Sequence, residues 1–440
     1  MERLLMDDLI KWKENSDKKP LILQGVRQCG KTHLVEEQFG KRHYDDMVVY
    51  KFDKDNSITH FFEKDLDPQR IIKDMALQRG KDIKPHKTLI FLDEIQECPK
   101  AITALKYFCE EAPEYHIIAA GSLLGVAIKK GTSFPVGKVE FLTLFPMNFY
   151  EFLLAQNEML AKELKNNTLD NSIWHDFRSE LVEKYKDFQI IGGMPEVVKT
   201  WVNTKSIETV EKVQDEILLS YQKDLGKYAE AKDYPKISAV WQAIPSQLGK
   251  ENRKFVFSQV KKSWRAKDLE DALIWLVRAG LVHKVEFIEK PNFPIVSYAN
   301  HTYFKLYMCD VGLLRRHADL PSSIMFDQTN LYKEFKGAMA ENYVACELKM
   351  MYSKTKDKAL FYWTRGGEGK AEVDFIVQDN KYIIPIEVKA ESASHAKSIT
   401  AYCEKFNPEK SVLTSLDDLT ARRLPLYAFW KFREFVGQQL

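Results

Sequence analysis

Short apolar runs alternate with longer amphipathic stretches over the first third of the chain. Four runs have the length of strands, at residues 20–24, 47–52, 88–92 and 116–120. Helical spacing fills the intervals between them, as at residues 102–110. Strands that are apolar throughout are buried on both faces, which is typical of a parallel sheet covered by helices. The pattern predicts an α/β domain over residues 1–152.

The middle of the chain has a helical period and few strand signals. Amphipathic spacing covers residues 153–230 and is broken at the sequence IIGGMPEVV, around Gly192 and Gly193. We predict a helical lid there. Over residues 231–318, three predicted helices precede a glycine and the apolar run LVHKVEFI. That order predicts a winged-helix unit whose helices span residues 237–248, 254–260 and 266–278.

Apolar runs return near the C-terminus. A helical stretch at residues 334–351 is followed by strand signals near Phe361 and at residues 373–377 and 383–388, and then by a helical stretch at 396–406. This order predicts a second α/β unit over residues 331–440. The distinct patterns, without an internal repeat, predict four different domains.

Composition places the chain among globular proteins. Of its 440 residues, 45% are hydrophobic and 29% charged. A formal charge of +2 is too small to indicate a surface that is basic throughout and covers nucleic acid. Any basic surface must therefore come from local clusters of Lys and Arg. No apolar run reaches the roughly 18 residues that a membrane helix needs, and the N-terminus lacks an apolar leader, so we expect a cytoplasmic protein without membrane contact.

Six cysteines are scattered along the chain without zinc-ligand spacing. Their distribution predicts reduced thiols, at Cys29, Cys98, Cys109, Cys309, Cys346 and Cys403.

The clearest motif is GVRQCGKT at residues 25–32, directly after the first predicted strand and at the start of a helix. Its glycines let backbone N–H groups surround phosphates, and the helix N-terminus adds positive potential. Lys31 is expected to reach the β- and γ-phosphates of ATP, and Thr32 to ligate Mg²⁺. The predicted nucleotide contacts are Gly25, Val26, Arg27, Gln28, Cys29, Gly30, Lys31, Thr32 and His33.

A second motif, TLIFLDE at residues 88–94, is an apolar strand that ends in two carboxylates. Asp93 is positioned to hold Mg²⁺ through water, and Glu94 to polarise the attacking water. The two motifs together predict ATP hydrolysis. Ser122 ends another strand, where it either senses the γ-phosphate or caps a helix.

Several segments together resemble one family. GVRQCGKT, FLDEIQ, GSLLG, FPVGKVEFLTLFPMNFYEFL, GGMPEVV, IPSQLGKENRKF and FKLYMCDVGLL are similar to bacterial and archaeal AAA-type P-loop ATPases with a C-terminal restriction-endonuclease-like domain of unknown function.

The resemblance implies a homo-oligomer, because AAA-type sites usually form between subunits. Lys138 occupies a position that is more often arginine in the family. Lysine cannot form arginine's bidentate fork, so a finger role is weakened there. Arg265 is a further candidate for a sensor or finger.

The C-terminal unit carries the order E…D…ExK, in Glu341, Asp374, Glu387 and Lys389. This order resembles the PD-(D/E)XK nuclease superfamily, which implies that the carboxylates bind Mg²⁺ and that the lysine orients water or stabilises charge. The alternative is a degenerate nuclease fold that binds or packs. Three nearby basic residues could contact phosphates: Arg365, Lys370 and Lys397.

Basic residues are concentrated in the predicted winged helix. Against the single acid Glu251, residues 250–267 contain Lys250, Arg253, Lys254, Lys261, Lys262, Arg265 and Lys267. The excess favours contact with double-stranded DNA, although winged helices also dock proteins. Trp264 lies in the same stretch and either stacks on a partner or anchors its helix.

The predicted function is therefore an ATP-hydrolysing AAA-type protein associated with DNA. The predicted fold is a P-loop parallel-sheet domain followed by a helical lid, a winged helix and a nuclease-like α/β domain. Two alternatives stay open: a nucleotide-switched interaction protein with an inactive nuclease-like domain, and an ATP-regulated, Mg²⁺-dependent DNA endonuclease.

Overall fold

A computed structural model describes residues 1–122, 124–127, 134–250, 253–325, 333–354, 359–365, 371–393 and 396–438. The chain divides into two compact units. The first comprises Met1–Phe145 with Arg278–Gly280, and the second comprises Pro146–Val277 with Leu281–Leu440. None of the helices in the described part of the chain is long and apolar enough to cross a membrane.

The first unit contains a five-stranded parallel sheet in the order β2-β3-β4-β1-β5. Its strands are β1 (Leu21–Gln24), β2 (Asp46–Lys51), β3 (Thr88–Asp93), β4 (His116–Gly121) and β5 (Glu140–Thr143). The predicted parallel sheet is confirmed. The apolar pattern missed β5 because this strand is not fully buried on either face.

Helices of the first unit are α1 (Met6–Glu14), α2 (Lys31–His33), α3 (Lys41–His43), α4 (Pro68–Arg79), α5 (Pro99–Glu111) and α6 (Leu124–Ala127). A π-helical segment, Leu34–Gly40, joins α2 to α3. The inner face of α5 packs into the main core with Ile102, Leu105 and Phe108, each at most 2% exposed. Burial of these side chains fixes α5 beside the sheet.

The second unit begins with a helical region, where a lid was predicted. Its helices are α7 (Phe149–Gln156), α8 (Glu158–Asn166), α9 (Ile173–Asp176), α10 (Arg178–Ile191), α11 (Pro195–Thr204), α12 (Ile207–Tyr228), α13 (Tyr234–Leu248) and α14 (Ala266–Arg278). Gly193 separates α10 from α11. A Cβ there would lie 1.9 Å from the Met147 carbonyl oxygen, so only glycine fits.

Seven strands of the second unit form one mixed sheet, in the order β12-β11-β10-β9-β8-β6-β7. They are β6 (Val282–Ile288), β7 (Ala299–Met308), β8 (Leu360–Thr364), β9 (Glu372–Asp379), β10 (Tyr382–Val388), β11 (Val412–Ser415) and β12 (Arg423–Pro425). The remaining helices are α15 (Val311–His317), α16 (Ser322–Met325), α17 (Lys333–Tyr352), α18 (Lys397–Phe406) and α19 (Phe432–Gln438).

The hairpin of β6 and β7 was predicted as the wing of a winged helix. Its strands are antiparallel, and β6 also pairs in parallel with β8, so the hairpin and the C-terminal strands share a sheet. The helix predicted at residues 254–260 is only a 3₁₀ turn, Phe257–Gln259, and Val256 directly before it has an extended backbone. The four domain boundaries stay predictions.

Candidate nucleotide site

The loop between β1 and α2 depends on two glycines with positive φ. At Gly25, φ is 154°, and an added Cβ would lie 2.3 Å from the Leu144 carbonyl oxygen. Gly30 has a φ of 95° and directly precedes α2. A side chain at either position would strain the backbone, so the loop adopts this shape only with glycine at both positions.

Arg3 stabilises this loop from outside the motif. Its guanidinium is buried and donates to the carbonyl oxygen of Cys29 at 2.9 Å and to that of Phe145 at 2.5 Å. Charge-assisted bonds of this kind hold the loop backbone in place. Sequence reasoning missed Arg3, because nothing in its local sequence marks it.

Lys31 lies inside the loop. Its side chain is buried, and its ammonium group donates to the carbonyl oxygens of Gly25 and Val26, each at 2.9 Å. An ammonium group with rotatable donors can exchange these carbonyls for phosphate oxygens at the same loop.

Thr32 and Asp93 meet directly, as their predicted roles in metal binding require. The hydroxyl of Thr32 donates to Oδ2 of Asp93 at 2.8 Å, which joins the start of α2 to the end of β3. Burial raises the pKa of Asp93, and the Thr32 hydrogen bond opposes that rise. A hydroxyl and a carboxylate are hard oxygen ligands, so this pair fits Mg²⁺.

Glu94 is held by two neighbours. Its backbone has a left-handed φ of 51°. The hydroxyl of Ser122 donates to Oε2 of Glu94 at 3.1 Å, and the side-chain amide of Gln96 donates to the same oxygen. Ser122 is thus a partner of Glu94. Sequence reasoning did not assign Gln96, although it follows Glu94 by two positions.

The other predicted contacts divide by exposure. Val26 and Cys29 are buried supports of the loop, whereas Arg27, Gln28 and His33 are exposed around it. Their roles as nucleotide contacts stay predictions. Lys138 forms an ion pair with Glu110 at 2.9 Å, which raises the pKa of Lys138.

The predicted nuclease constellation lies in the second unit. Asp374 is on β9 and Glu387 on the neighbouring β10, and Lys389 follows that strand. Glu341 is on α17 and is linked to Asp374 through Lys305, whose Nζ lies 3.5 Å from Glu341 Oε2 and 3.9 Å from Asp374 Oδ1. The structure therefore gathers the four predicted residues around one region of the sheet.

A lysine that the sequence did not indicate lies among these acidic residues. Lys305 on β7 has no exposed surface, and its ammonium group also lies 2.5 Å from Oε1 of Glu372. Within the described ranges, no group of three or more His, Cys, Asp and Glu side chains is arranged to hold a metal ion. Of the predicted phosphate contacts, Arg365 and Lys397 are described, and Lys370 lies outside the described residues.

Basic residues before α14 are mostly at the surface. The side chains of Lys261, Lys262 and Arg265 are exposed, and the Lys261 ammonium lies 4.5 Å from the centre of the Trp264 ring. Arg253 differs from them, because its guanidinium forms an ion pair with Glu341. It is therefore part of the carboxylate region.

Three family models match successive parts of the chain. Residues 17–153 match an AAA domain, residues 182–323 a domain of unknown function (DUF8612), and residues 336–425 another domain of unknown function (DUF4143). The chain thus carries an AAA-type domain at the site described above, and that part of the prediction is confirmed.

Individual relatives are distant. An uncharacterized protein of Methanocaldococcus jannaschii is 22% identical over 393 residues, 87% of this chain and 77% of the relative. A Walker-type ATPase of Pyrococcus abyssi is similar at 13% identity with a TM-score of 0.43, over 71% of this chain and 94% of that one. Drosophila ORC bound to DNA is similar at 14% identity with a TM-score of 0.28, over 69% and 90%.

Proposed function

We propose that the first unit binds ATP with Mg²⁺ and hydrolyses it. The observation that carries this proposal is the convergence of Lys31, Thr32, Asp93 and Glu94 at the carboxyl ends of β1 and β3. Each of these residue types matches one requirement of phosphoryl transfer: charge compensation, metal ligation and orientation of water. The AAA-domain match over residues 17–153 supports the same function.

The proposed steps follow from the hydrogen bonds that each side chain already makes. Lys31 exchanges the Gly25 and Val26 carbonyls for phosphate oxygens when ATP enters the loop. Thr32 and Asp93 would hold Mg²⁺, which neutralises charge on the phosphates when bound. The loop N–H groups orient the phosphates against the start of α2.

Glu94 is the base in this proposal. A carboxylate that polarises water must first be oriented, and the bonds from Ser122 and Gln96 restrict its position. Because the Ser122 hydroxyl rotates, it can instead donate to a γ-phosphate, which would release Glu94 to a water molecule. Of the two roles predicted for Ser122, this proposal adopts γ-phosphate sensing through Glu94.

Release of phosphate from MgATP by the full chain tests the proposal. Glu94→Gln keeps the size of the side chain but removes the base, so hydrolysis should fall roughly 10²- to 10⁴-fold with ATP binding retained. Glu111→Gln, at the exposed end of α5, is the matched control and should retain the wild-type rate. Equal rates in wild type and Glu94→Gln would contradict the proposed role.

A second proposed function is binding of double-stranded DNA by the second unit. It rests on the exposed cations Lys261, Lys262 and Arg265 beside Trp264. Each phosphate contact releases condensed counterions, so a real contact must appear in the salt dependence of binding.

Duplex affinity at several salt concentrations tests this function. Lys261→Ala with Lys262→Ala should weaken binding and reduce the slope of log affinity against log salt by about 1 for each phosphate that the variant no longer neutralises. Lys199→Ala with Lys212→Ala removes two exposed lysines elsewhere in the same unit and should change neither quantity. An unchanged slope in the first double variant would favour protein docking.

A further inference from the structure

The buried ammonium group of Lys305 is surrounded by carboxylates. It lies 2.5 Å from Glu372, 3.5 Å from Glu341 and 3.9 Å from Asp374, and the Lys305 side chain has no exposed surface. Two of these three acids are the residues that the resemblance to nucleases assigned to a magnesium ion. A buried cation of this kind is retained only when its charge is compensated.

The oxygens of Glu341 are already engaged. One accepts a hydrogen bond from the Tyr307 hydroxyl at 2.7 Å and faces Lys305, and the other pairs with the guanidinium of Arg253. The Glu341 side chain is only 2% exposed, so it has little room to turn toward another ligand. A metal ion that used both oxygens of Glu341 would have to displace both cations.

Asp374 and Glu387 are engaged in the same way. Oδ2 of Asp374 accepts from the Val388 backbone N–H at 2.8 Å, and its other oxygen faces Lys305. Oε2 of Glu387 accepts from the Ile399 N–H at 2.8 Å, and Oε1 pairs with Lys389 at 2.7 Å. All six oxygens of the three predicted metal ligands therefore have a donor or cationic neighbour.

This arrangement does not fit the magnesium ion that the resemblance implies. Mg²⁺ demands near-octahedral oxygen ligation and brings several waters with it, whereas here the carboxylate oxygens point at N–H, O–H and ammonium donors. Electrostatics disfavours the ion as well, because a divalent cation near Lys305 and Arg253 would face two fixed positive charges at short range.

We propose that Lys305 is the resident cation of this carboxylate cluster, so that the second unit takes no divalent metal there. The ammonium group supplies the positive charge that Mg²⁺ supplies in a metal-dependent nuclease, and it holds α17 against β7 and β9. The side chains of the E…D…ExK order then serve packing and charge balance. Removal of the ammonium group alone should open the cluster to a metal ion.

The proposal is tested by binding Mn²⁺ to the full chain without nucleotide. Bound Mn²⁺ is measured as the decrease of the paramagnetic resonance signal of the free ion. Wild type and Asp374→Asn should bind equally. Lys305→Met, which keeps the length of the side chain but not its charge, should bind about one additional Mn²⁺ per chain. That gain should vanish in Lys305→Met combined with Asp374→Asn.

Lys284→Met is the matched control. It removes a lysine from the same hairpin, where Lys284 pairs with Glu286 at 2.6 Å, and it should bind no additional Mn²⁺. The proposal is overturned if wild type binds an Mn²⁺ that Asp374→Asn does not bind, or if a folded Lys305→Met binds no more than wild type. Should Lys305→Met fail to fold, the comparison of wild type with Asp374→Asn still decides.

Discussion

The two units each collect acidic and basic side chains at one end of a sheet, but they use them differently. In the first unit, Thr32 and Asp93 meet through a single hydrogen bond, and Lys31 rests on two neutral carbonyls. In the second unit, Glu341 and Asp374 face the buried ammonium of Lys305. In the proposed function, the first arrangement receives part of its positive charge from a bound Mg²⁺ ion. In the second arrangement, Lys305 supplies the positive charge.

This difference shows that a sequence motif identifies the charged side chains of a site but not the groups that neutralise their charge. A loop whose lysine and hydroxyl are bonded to neutral or exchangeable partners can accept a phosphate and a metal ion at little cost. A cluster whose carboxylates are paired with buried cations must first lose those pairs, and breaking a buried pair typically costs about 3–5 kcal/mol.

The largest expected effect concerns a buried carboxylate of the second unit whose observed partners are neutral. Glu347 accepts from the Phe149 backbone N–H at 2.9 Å and from the Asn148 amide at 3.5 Å. Burial raises the pKa of Glu347 to about 7. Between pH 4.5 and 7 the folded chain holds a proton that the unfolded chain has released, so stability should fall by about 3 kcal/mol as pH rises through this window.

Glu347→Gln should remove that part of the pH dependence, because glutamine still accepts from Phe149 but does not titrate. Urea unfolding of the full chain at pH 5 and pH 7.5 measures the change. Asp310 is a built-in reference, since burial also raises its pKa, to about 6, and its contribution stays in both proteins. Identical pH slopes for wild type and Glu347→Gln would show that an uncompensated carboxylate costs nothing here.

A smaller effect is expected for Lys31→Ala in the first unit. The ammonium group would make charge-assisted hydrogen bonds to phosphate, worth about 1.5–3 kcal/mol, so ATP affinity should fall about 10- to 150-fold. Titration calorimetry with ATP and Mg²⁺ measures the decrease. Lys41→Ala, which removes an exposed lysine paired with Glu37 at 2.5 Å, should leave the affinity unchanged; equal affinity for both variants would remove Lys31 from the site.

The nucleotide loop was predictable from the sequence because its chemistry is local. Gly25, Gly30, Lys31 and Thr32 lie within eight residues, and each is needed for the shape or charge of one turn. Strands β3 and β4 were predictable because all of their positions are buried and most of them are apolar. The partly exposed strand β5 lacks that signal and was missed.

The missed residues act over long distances in sequence. Arg3 donates to the carbonyl oxygen of Phe145, which lies 142 residues later in the sequence. Lys305 on β7 pairs with Glu372 on β9. Neither contact leaves a periodic or spaced pattern, since each depends on how separate elements pack. Gln96 is different: its spacing from Glu94 was visible, but its contact depends on the left-handed backbone at Glu94.

One reaction tests the contrast between the two regions most directly. The full chain is incubated with ATP, Mg²⁺ and duplex DNA, and phosphate release and strand cleavage are followed together in wild type, Glu94→Gln and Asp374→Ala. Wild type and Asp374→Ala should release phosphate, Glu94→Gln should not, and the DNA should stay intact in all three. Cleavage by wild type that Asp374→Ala abolishes would contradict the account, as would phosphate release that does not depend on Glu94.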